Sequence, residues 1–597
     1  MYAAENAASG WRRDLAWAFV TAFIALAISA GGGFRAMTEG NGDNDSLLRL
    51  VQVRDLLAGQ DWFDLHQYRM GPKGGFIMHW SRLVDAPLAA LITVAETFGF
   101  SSSAAETFAK IVWPTLIYAP TVFFLVRATR RFGGELTTLP ALVVAAAALF
   151  FLAICEPGNI DHHNVQLMLV AASLHFLLAA PGRQSAAILS GACAASTLAI
   201  GMETAPLVAA IGLCAAGEFL LRDNHGANVA RGFGLGFAGI SAAVFAATVA
   251  PAAWSTAACD SFSLVQLVLA AVSGLGLTVM ASIDAVRSSP LRRSVALCLL
   301  GLAVIAAITL LFPQCLRSPY NDLDPRLRSL WLDNVSEAQS FLQLALEKPA
   351  TAIGAYATPL IGLALVLRSL MRGDHRREVC IVGTLLAAAF AVSVWQVRGA
   401  NFSIALAVIP LGSWVARWRE NVRTAPSAKV TVAMIMAWLV SLNGVWSVSA
   451  ASISTFAGGK AKPIASSLRY TCEAPGDYAM LATQPATTVL AVSNLGSPIL
   501  VHTQHRVLAG PYHRNVKGNL LVLDTFSSPS AEAERIVRDQ HVGLIALCRA
   551  DAETSYLAGL APNGFLATLM KGPLPSWLEP VAASMGKPLE LYRVKPG

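Results

Sequence analysis

The sequence predicts a polytopic all-α membrane protein that carries a small α/β domain at its C-terminal end. Three observations predict it. Apolar runs near twenty residues, the length that crosses a bilayer, recur from Val20 to Ala450. Charged residues make up 14% of the 597 and hydrophobic ones 55%, with mean hydropathy +0.54; a soluble domain carries about 25% charged residues. After residue 450 the apolar segments become short and β-branched: "TTVLAV" (487–492), "NLLVLDTF" (519–526) and "VGLIAL" (542–547), with "SAEAERIVRDQ" (530–540) as a helix between two of them. The expected organisation is therefore a membrane domain over 1–450, with outer loops 35–107 and 313–350, and an outer α/β domain over 451–597.

Thirteen spans are predicted, at 15–34, 108–126, 137–155, 164–180, 186–201, 205–221, 232–250, 263–282, 294–312, 351–369, 378–395, 401–416 and 429–450. The first follows a "WRRD" head and lacks a small-residue cleavage site, so it reads as a retained span. Every second loop is basic: "RATRR" (127–131), "GRQ" (182–184), "LRDNH" (221–225), "RSSPLRR" (287–293), "RSLMRGDHRR" (368–377) and "RWRENVR" (417–423). With the head, these mark the cytoplasmic side and put the N-terminus there. The formal charge of +7 is thus a topology signal and does not imply nucleic acid. The nine cysteines include no C-x-x-C pair. Cys155, Cys193, Cys214, Cys259, Cys298 and Cys380 lie in or beside apolar runs and read as small buried hydrophobes, while Cys472 and Cys548 could pair in the outer domain.

The polar chemistry collects on the other face. After the first span comes "TEGNGDNDSLLRLVQVRDLL", with Asp43 and Asp45 ahead of an amphipathic helix over 46–58 that carries Arg49 and Arg54. "MHWSRLVD" (78–85) follows with His79. "CEPGNIDHHN" (155–164) holds Glu156, Asp161, His162 and His163, and Glu203 stands in "GMETAP" at a span end. "YNDLDPRLRSLWLDNVSEAQS" (320–340) and "WQVRGANF" (395–402) complete the set with Glu337 and Arg398. One acid in a loop is usually a solvated cap. Carboxylates from several loops at one membrane face suit a divalent cation with hard oxygen ligands, Mg²⁺ or Mn²⁺, the latter tolerating an imidazole.

At these residues the chain resembles the GT-C superfamily of membrane glycosyltransferases, and within it the catalytic subunit of oligosaccharyltransferase. "GDNDSLLRL" is similar to that family's acid after the first span with its arginine-bearing helix, matching Asp45 and Arg49. "GNIDHHNV" is similar to its Asp-x-Asp or Asp-x-Glu motif, matching Asp161 and His163; "NVSE" supplies Glu337 for its late outer-loop acid, and Arg398 its arginine at a late span. Two departures stand out. His163 occupies the position of an acid, and the Trp-Trp-Asp-Tyr-Gly block that reads the acceptor sequon is absent. In its place "LAVSNLGSPILVHTQHRVLAGPYHRN" (490–515) offers His502, His505, Arg506, Tyr512, His513 and Arg514.

The resemblance implies an enzyme of the bacterial inner membrane, its outer domain periplasmic. It would move a sugar or glycan from a polyprenyl-phosphate donor to an envelope glycan or lipid in one inverting displacement. A metal, Mg²⁺ or Mn²⁺, would sit on Asp45, Asp161, His163 and Glu337. Asp45 would serve as general base, with Asp43 as substitute and Glu337 in the catalytic set. Arg49, Arg54, His79 and Arg398 would contact donor or acceptor, and Glu203 would be a donor-pocket residue or a pathway carboxylate. Outside the resemblance, His505, Tyr512, His513 and Arg514 would form a different acceptor or lipid-phosphate site, or a hydrogen-bonded cap over the active site. Glu156 and His162 rank as supporting or structural residues. The competing readings are a polysaccharide polymerase or ligase and a lipid-linked glycan transporter; a transporter places its ionisable groups near the midplane, not at loop level.

Overall fold

The computed structural model describes residues 10–40, 43–317, 320, 323–332, 335, 337–374, 376–456 and 472–596. Among these, nine helices are long and apolar enough to cross a membrane, from Trp11–Gly31 to Val397–Thr424. A tenth candidate, Ala428–Val440 with Asn443–Ile453, bends by 84° at its break. Three predicted spans are shorter apolar helices: His163–Ala179, Gln184–Ile200 and Leu264–Met280. A 17-residue helix rises only about 26 Å, short of a hydrocarbon core about 30 Å thick. So the length criterion gives nine or ten spans where the sequence predicted thirteen. Gln184–Ile200 lies backbone to backbone against Asp223–Thr248, because a Cβ at Gly191 would meet Phe233 O at 2.1 Å and one at Gly236 would meet Ile188 O at 2.1 Å.

Two hydrophobic cores form. One is the helical bundle. The other joins the 35–107 loop and the start of the helix Ser102–Gly133, from Leu47 to Ile117, with the C-terminal residues from Cys472 to Tyr592. The loop and the α/β region therefore fold as partners. Arg54 forks onto Glu106 at 2.6 and 2.8 Å and donates to Val501 O at 2.6 Å. Arg69 donates to the carbonyls of Leu500, Thr503 and His505 at 2.6–3.2 Å.

The loop contains helices Asn44–Leu57 and Arg82–Thr97 and a hairpin of β1 (His66–Gln67) and β2 (Phe76–Ile77). The C-terminal sheet comprises β3 (Thr488–Leu490), β4 (Arg506–Val507), β5 (Val542–Cys548), β6 (Leu578–Pro580) and β7 (Leu589–Val594) in the order β4-β3-β5-β7-β6. β3 runs parallel to β4 and β5, while β7 runs antiparallel to β5 and β6.

The strand expected at 519–526 is instead helix Val516–Ser527. Its buried Asn519, Val522, Leu523 and Phe526 recur at helical spacing, which outweighs its valine and threonine content. Cys472 and Cys548 form a disulfide, as anticipated. Cys259, expected to be a buried hydrophobe, is paired with Cys315, and Cys298 and Cys380 are exposed on the bundle surface.

Candidate active site

The helix Asn44–Leu57 organises the site. Asp43 caps it, accepting from Ser46 N at 2.6 Å and Ser46 Oγ at 2.9 Å. The same Ser46 Oγ accepts from Ile160 N at 3.1 Å, which ties the helix start to the segment carrying Asp161. The helix is not amphipathic as expected: Ser46 to Val53 are all buried. Arg49 is 1% exposed, its Nη1 on Asp85 at 2.6 Å, its guanidinium over the Trp80 ring at 4.5 Å and its Nη2 3.3 Å from His162 Nδ1. Arg82, 2% exposed, reaches the other Asp85 oxygen at 3.1 Å. A buried arginine pair sharing one carboxylate therefore underlies the site.

Asp161, His162 and His163 bring donor atoms within 4.8 Å of one another, a spacing that fits one cation. Asp161 Oδ1 contacts the His162 ring and Oδ2 the His163 ring. His162 Nε2 lies 2.9 Å from Glu203 Oε1, and His163 Nε2 lies 3.7 Å from it. Although burial opposes ionisation, the His162 and His163 charges hold Asp161 well below the usual carboxylate range. Against the cost of burial, the Asp161 charge pushes His162 up to about 9. Desolvation, with the negative charges of Asp161, Asp43 and Glu337, pushes Asp45 up to about 8. A site that crowds five carboxylates, Asp43, Asp45, Asp161, Glu203 and Glu337, around two imidazoles fits a divalent cation, which would relieve the repulsion among them. His162, ranked at sequence level behind His163, belongs to the same cluster.

Glu337 and Arg398 come together through the backbone. Arg398 N donates to Glu337 O at 3.2 Å and Val397 N to Gln339 O at 2.9 Å, so the late loop is stitched to the turn Val397–Gly399. Among the described residues Arg398 forms no ion pair, and its buried Nε has no partner. Asn334 and Ser336 of "NVSE", and Asp322 and Asp333 nearby, lie outside the described residues.

The C-terminal candidates divide. His505 is 1% exposed; its Nδ1 accepts from Thr487 N at 3.1 Å and its Nε2 donates to Leu481 O at 2.9 Å, so both nitrogens are spent inside the domain. Arg54 is likewise committed to Glu106. Tyr512 reaches the site: it donates to Asn44 O at 2.8 Å, between Asp43 and Asp45, and bonds Ser497 Oγ at 3.0 Å. His513 Nε2 lies 2.8 Å from Asp260 Oδ2, and Arg514 forks onto Asp260 with both contacts at 2.7 Å. His79 lies tilted against His513 with ring centroids 4.7 Å apart, and burial beside His513 and Arg514 holds it well below its usual range, hence neutral. Sequence reasoning missed Asp260, which follows disulfide-bonded Cys259 and clamps the outer domain to the bundle. Asp260→Ala is expected to cost about 2 kcal/mol, the scale of hydrogen bonds to charged groups. A lower melting temperature of the detergent-purified chain and faster protease release of the outer domain would register it.

Comparison with known proteins places this architecture. No protein-family profile and no curated protein sequence matches the chain. Solved structures do. The oligosaccharyltransferase of Archaeoglobus fulgidus, tethered with an acceptor peptide containing the NVT sequon, matches with a TM-score of 0.63 at 15% identity, over 92% of this chain and 72% of that one. The same archaeal protein in complex with an inhibitory peptide and a dolichol-phosphate gives 0.60 at 15% identity, over 94% and 72%. Its complex with Zn and sulfate gives 0.55 at 15% identity, over 88% and 67%. The chain thus shares the fold of that oligosaccharyltransferase, as its motifs led one to expect.

Proposed function

We propose that this chain is a GT-C glycosyltransferase that moves a sugar or glycan from a polyprenyl-phosphate donor to a hydroxyl-bearing glycan or lipid acceptor. The observation that carries the reading is the carboxylate–imidazole cluster of Asp161, His162 and His163 in a fold shared with an oligosaccharyltransferase, beside Arg398, which forms no ion pair among the described residues and whose backbone N bonds Glu337 O. Lack of a sequon-reading block argues against a peptide acceptor. If the three short helices cross as well, the nine long helices and the bent pair among the described residues would make thirteen crossings with them. That count, with the basic loops inside, would put the N-terminus in the cytoplasm and the site and outer domain on the far face. Two arginines of those basic loops hold ion pairs of their own, Arg127 with Asp14 at 3.0 Å and Arg377 with Glu218 at 2.6 Å.

Arg398 would bind the donor phosphate by charge-assisted hydrogen bonds. Asp45 would accept the acceptor's hydroxyl proton as the oxygen bonds to the anomeric carbon, while the carbon–oxygen bond to phosphate breaks and the lipid phosphate departs. Asp43 is less free for this task, because Ser46 occupies its carboxylate. Tyr512 would hold the helix start beneath the acceptor. Asp45, Asp161, His163 and Glu337, with His162 alongside, would hold a divalent metal. Bound there, the metal would offset the charge developing on the phosphate.

The test is incubation of purified protein with a panel of polyprenyl-phosphate sugars and glycan or lipid acceptors, with Mn²⁺, with Mg²⁺ and with chelator, followed by mass analysis. Metal-dependent product with release of polyprenyl phosphate is expected. Intact donor across the whole panel would overturn the assignment.

A further inference from the structure

The turn between the helices Gln184–Ile200 and Ala205–Leu221 brings an acid outside the shared motifs onto the imidazole pair. Its geometry depends on a missing side chain. A Cβ at Gly201 would lie 2.5 Å from Glu203 Oε2, 2.6 Å from Glu203 Oε1 and 2.6 Å from Gln166 Nε2. The Glu203 carboxylate therefore folds back over the bare Cα. Gln166 Nε2 donates to Gly201 O at 3.2 Å and Thr204 Oγ1 donates to the same oxygen at 3.0 Å, which fixes the turn. In that position Glu203 Oε1 accepts from His162 Nε2 at 2.9 Å and lies 3.7 Å from His163 Nε2. The other nitrogen of His162 faces Asp161 and Arg49 Nη2.

Charge gives this arrangement a purpose. An Asp-x-Asp pair would offer a divalent ion two negative charges, whereas Asp161 with His163 offers one. Glu203 restores the second from a different span. It also does what a carboxylate does behind a metal-bound imidazole: it takes the ring proton on the far nitrogen, fixes the ring's tilt and raises the basicity of the near one. We infer that Glu203 is a positioning residue of the cation site, orienting His162 and His163 and supplying the negative charge that His163 lacks. The inference rests on the reading that this cluster binds a divalent cation.

The experiment measures Mn²⁺ binding to the detergent-purified full chain by the paramagnetic resonance of free Mn²⁺, and the visible absorption of the Co²⁺ form. Glu203→Gln keeps an oxygen acceptor for His162 but removes the charge. It is expected to weaken Mn²⁺ binding about 10–100-fold and to shift the Co²⁺ bands, readouts that a merely structural role would not move. Gly201→Ala, which displaces the carboxylate without deleting it, is expected to weaken binding in the same sense and serves if Glu203→Gln fails to fold. Unchanged Mn²⁺ affinity and Co²⁺ spectrum in either folded variant would overturn the role of Glu203 alone. A wild-type chain that binds neither ion would overturn the cation site, and this inference with it.

Discussion

Asp45→Asn is expected to abolish sugar transfer while the protein still folds and still reaches the membrane. The loss should be at least about 10²–10⁴-fold, the contribution of one well-placed proton-transfer group, and larger if the residue also ligates the cation. Folding should survive for a structural reason. Asp45 sits in the first turn of the helix Asn44–Leu57, whose cap is Asp43 and whose buried face begins at Ser46. Among the described residues it holds no ion pair, and the like charges of Asp161, Asp43 and Glu337 around it outweigh the attraction of the His162 ring. Neutralising it in such company relieves more repulsion than it forfeits attraction. Asp43→Asn is the control. Asparagine caps helices about as well as aspartate, so this variant should keep both its melting temperature and most of its rate. The pair is read by mass analysis of product and by thermal unfolding; an Asp45→Asn enzyme at full rate would sink the assignment.

The bundle was legible because crossing a membrane leaves a long, one-dimensional signal in hydropathy and loop charge. What the sequence left open was whether its shortest segments cross: the span predicted at 164–180 folds at that length, as the 17-residue helix His163–Ala179. The outer domain was less legible, since a half-buried helix such as Val516–Ser527 and a strand share the same short apolar runs. Within the site, the acids could be found because each loop announces its own charged residues. Their partners could not. Nothing local tells Arg49, held by Asp85, from Arg398, which no described carboxylate holds, because a partner 36 residues away is a property of the fold. "SRLVD" did carry a hint: Arg82 and Asp85 stand three apart at a helix start, the spacing of an intrahelical ion pair. The same limit hid Asp260 and the second disulfide. Glu203 was visible as an odd charge at a span end, but its tie to His162 needed the folded turn at Gly201.

Asp85→Asn is expected to produce the largest loss of stability in the chain. Asp85 has no exposure, and its two oxygens hold Arg49 and Arg82, themselves 1% and 2% exposed. Neutralising it leaves two arginines buried without a counter-charge. Arg82 keeps carbonyl partners, Asp64 O at 2.7 Å and Gln52 O at 3.3 Å, and Arg49 keeps the Trp80 face, but none of these carries a negative charge. Breaking one partner out of a buried ion pair costs about 3–5 kcal/mol, and here a single change breaks two. Detergent-solubilised protein should show this as a large drop in melting temperature. The arrangement also predicts coupling. Adding Arg82→Met to Asp85→Asn removes one of the stranded charges, so the double variant should lose much less than the sum of the two single losses. Because Arg49 Nη2 lies 3.3 Å from His162 Nδ1, loosening Arg49 should reach the imidazole cluster as well. Folded Asp85→Asn protein, held below its lowered melting point, should therefore bind Mn²⁺ more weakly than wild type. Wild-type stability in Asp85→Asn would show that this triad does not hold the outer loop beneath the site.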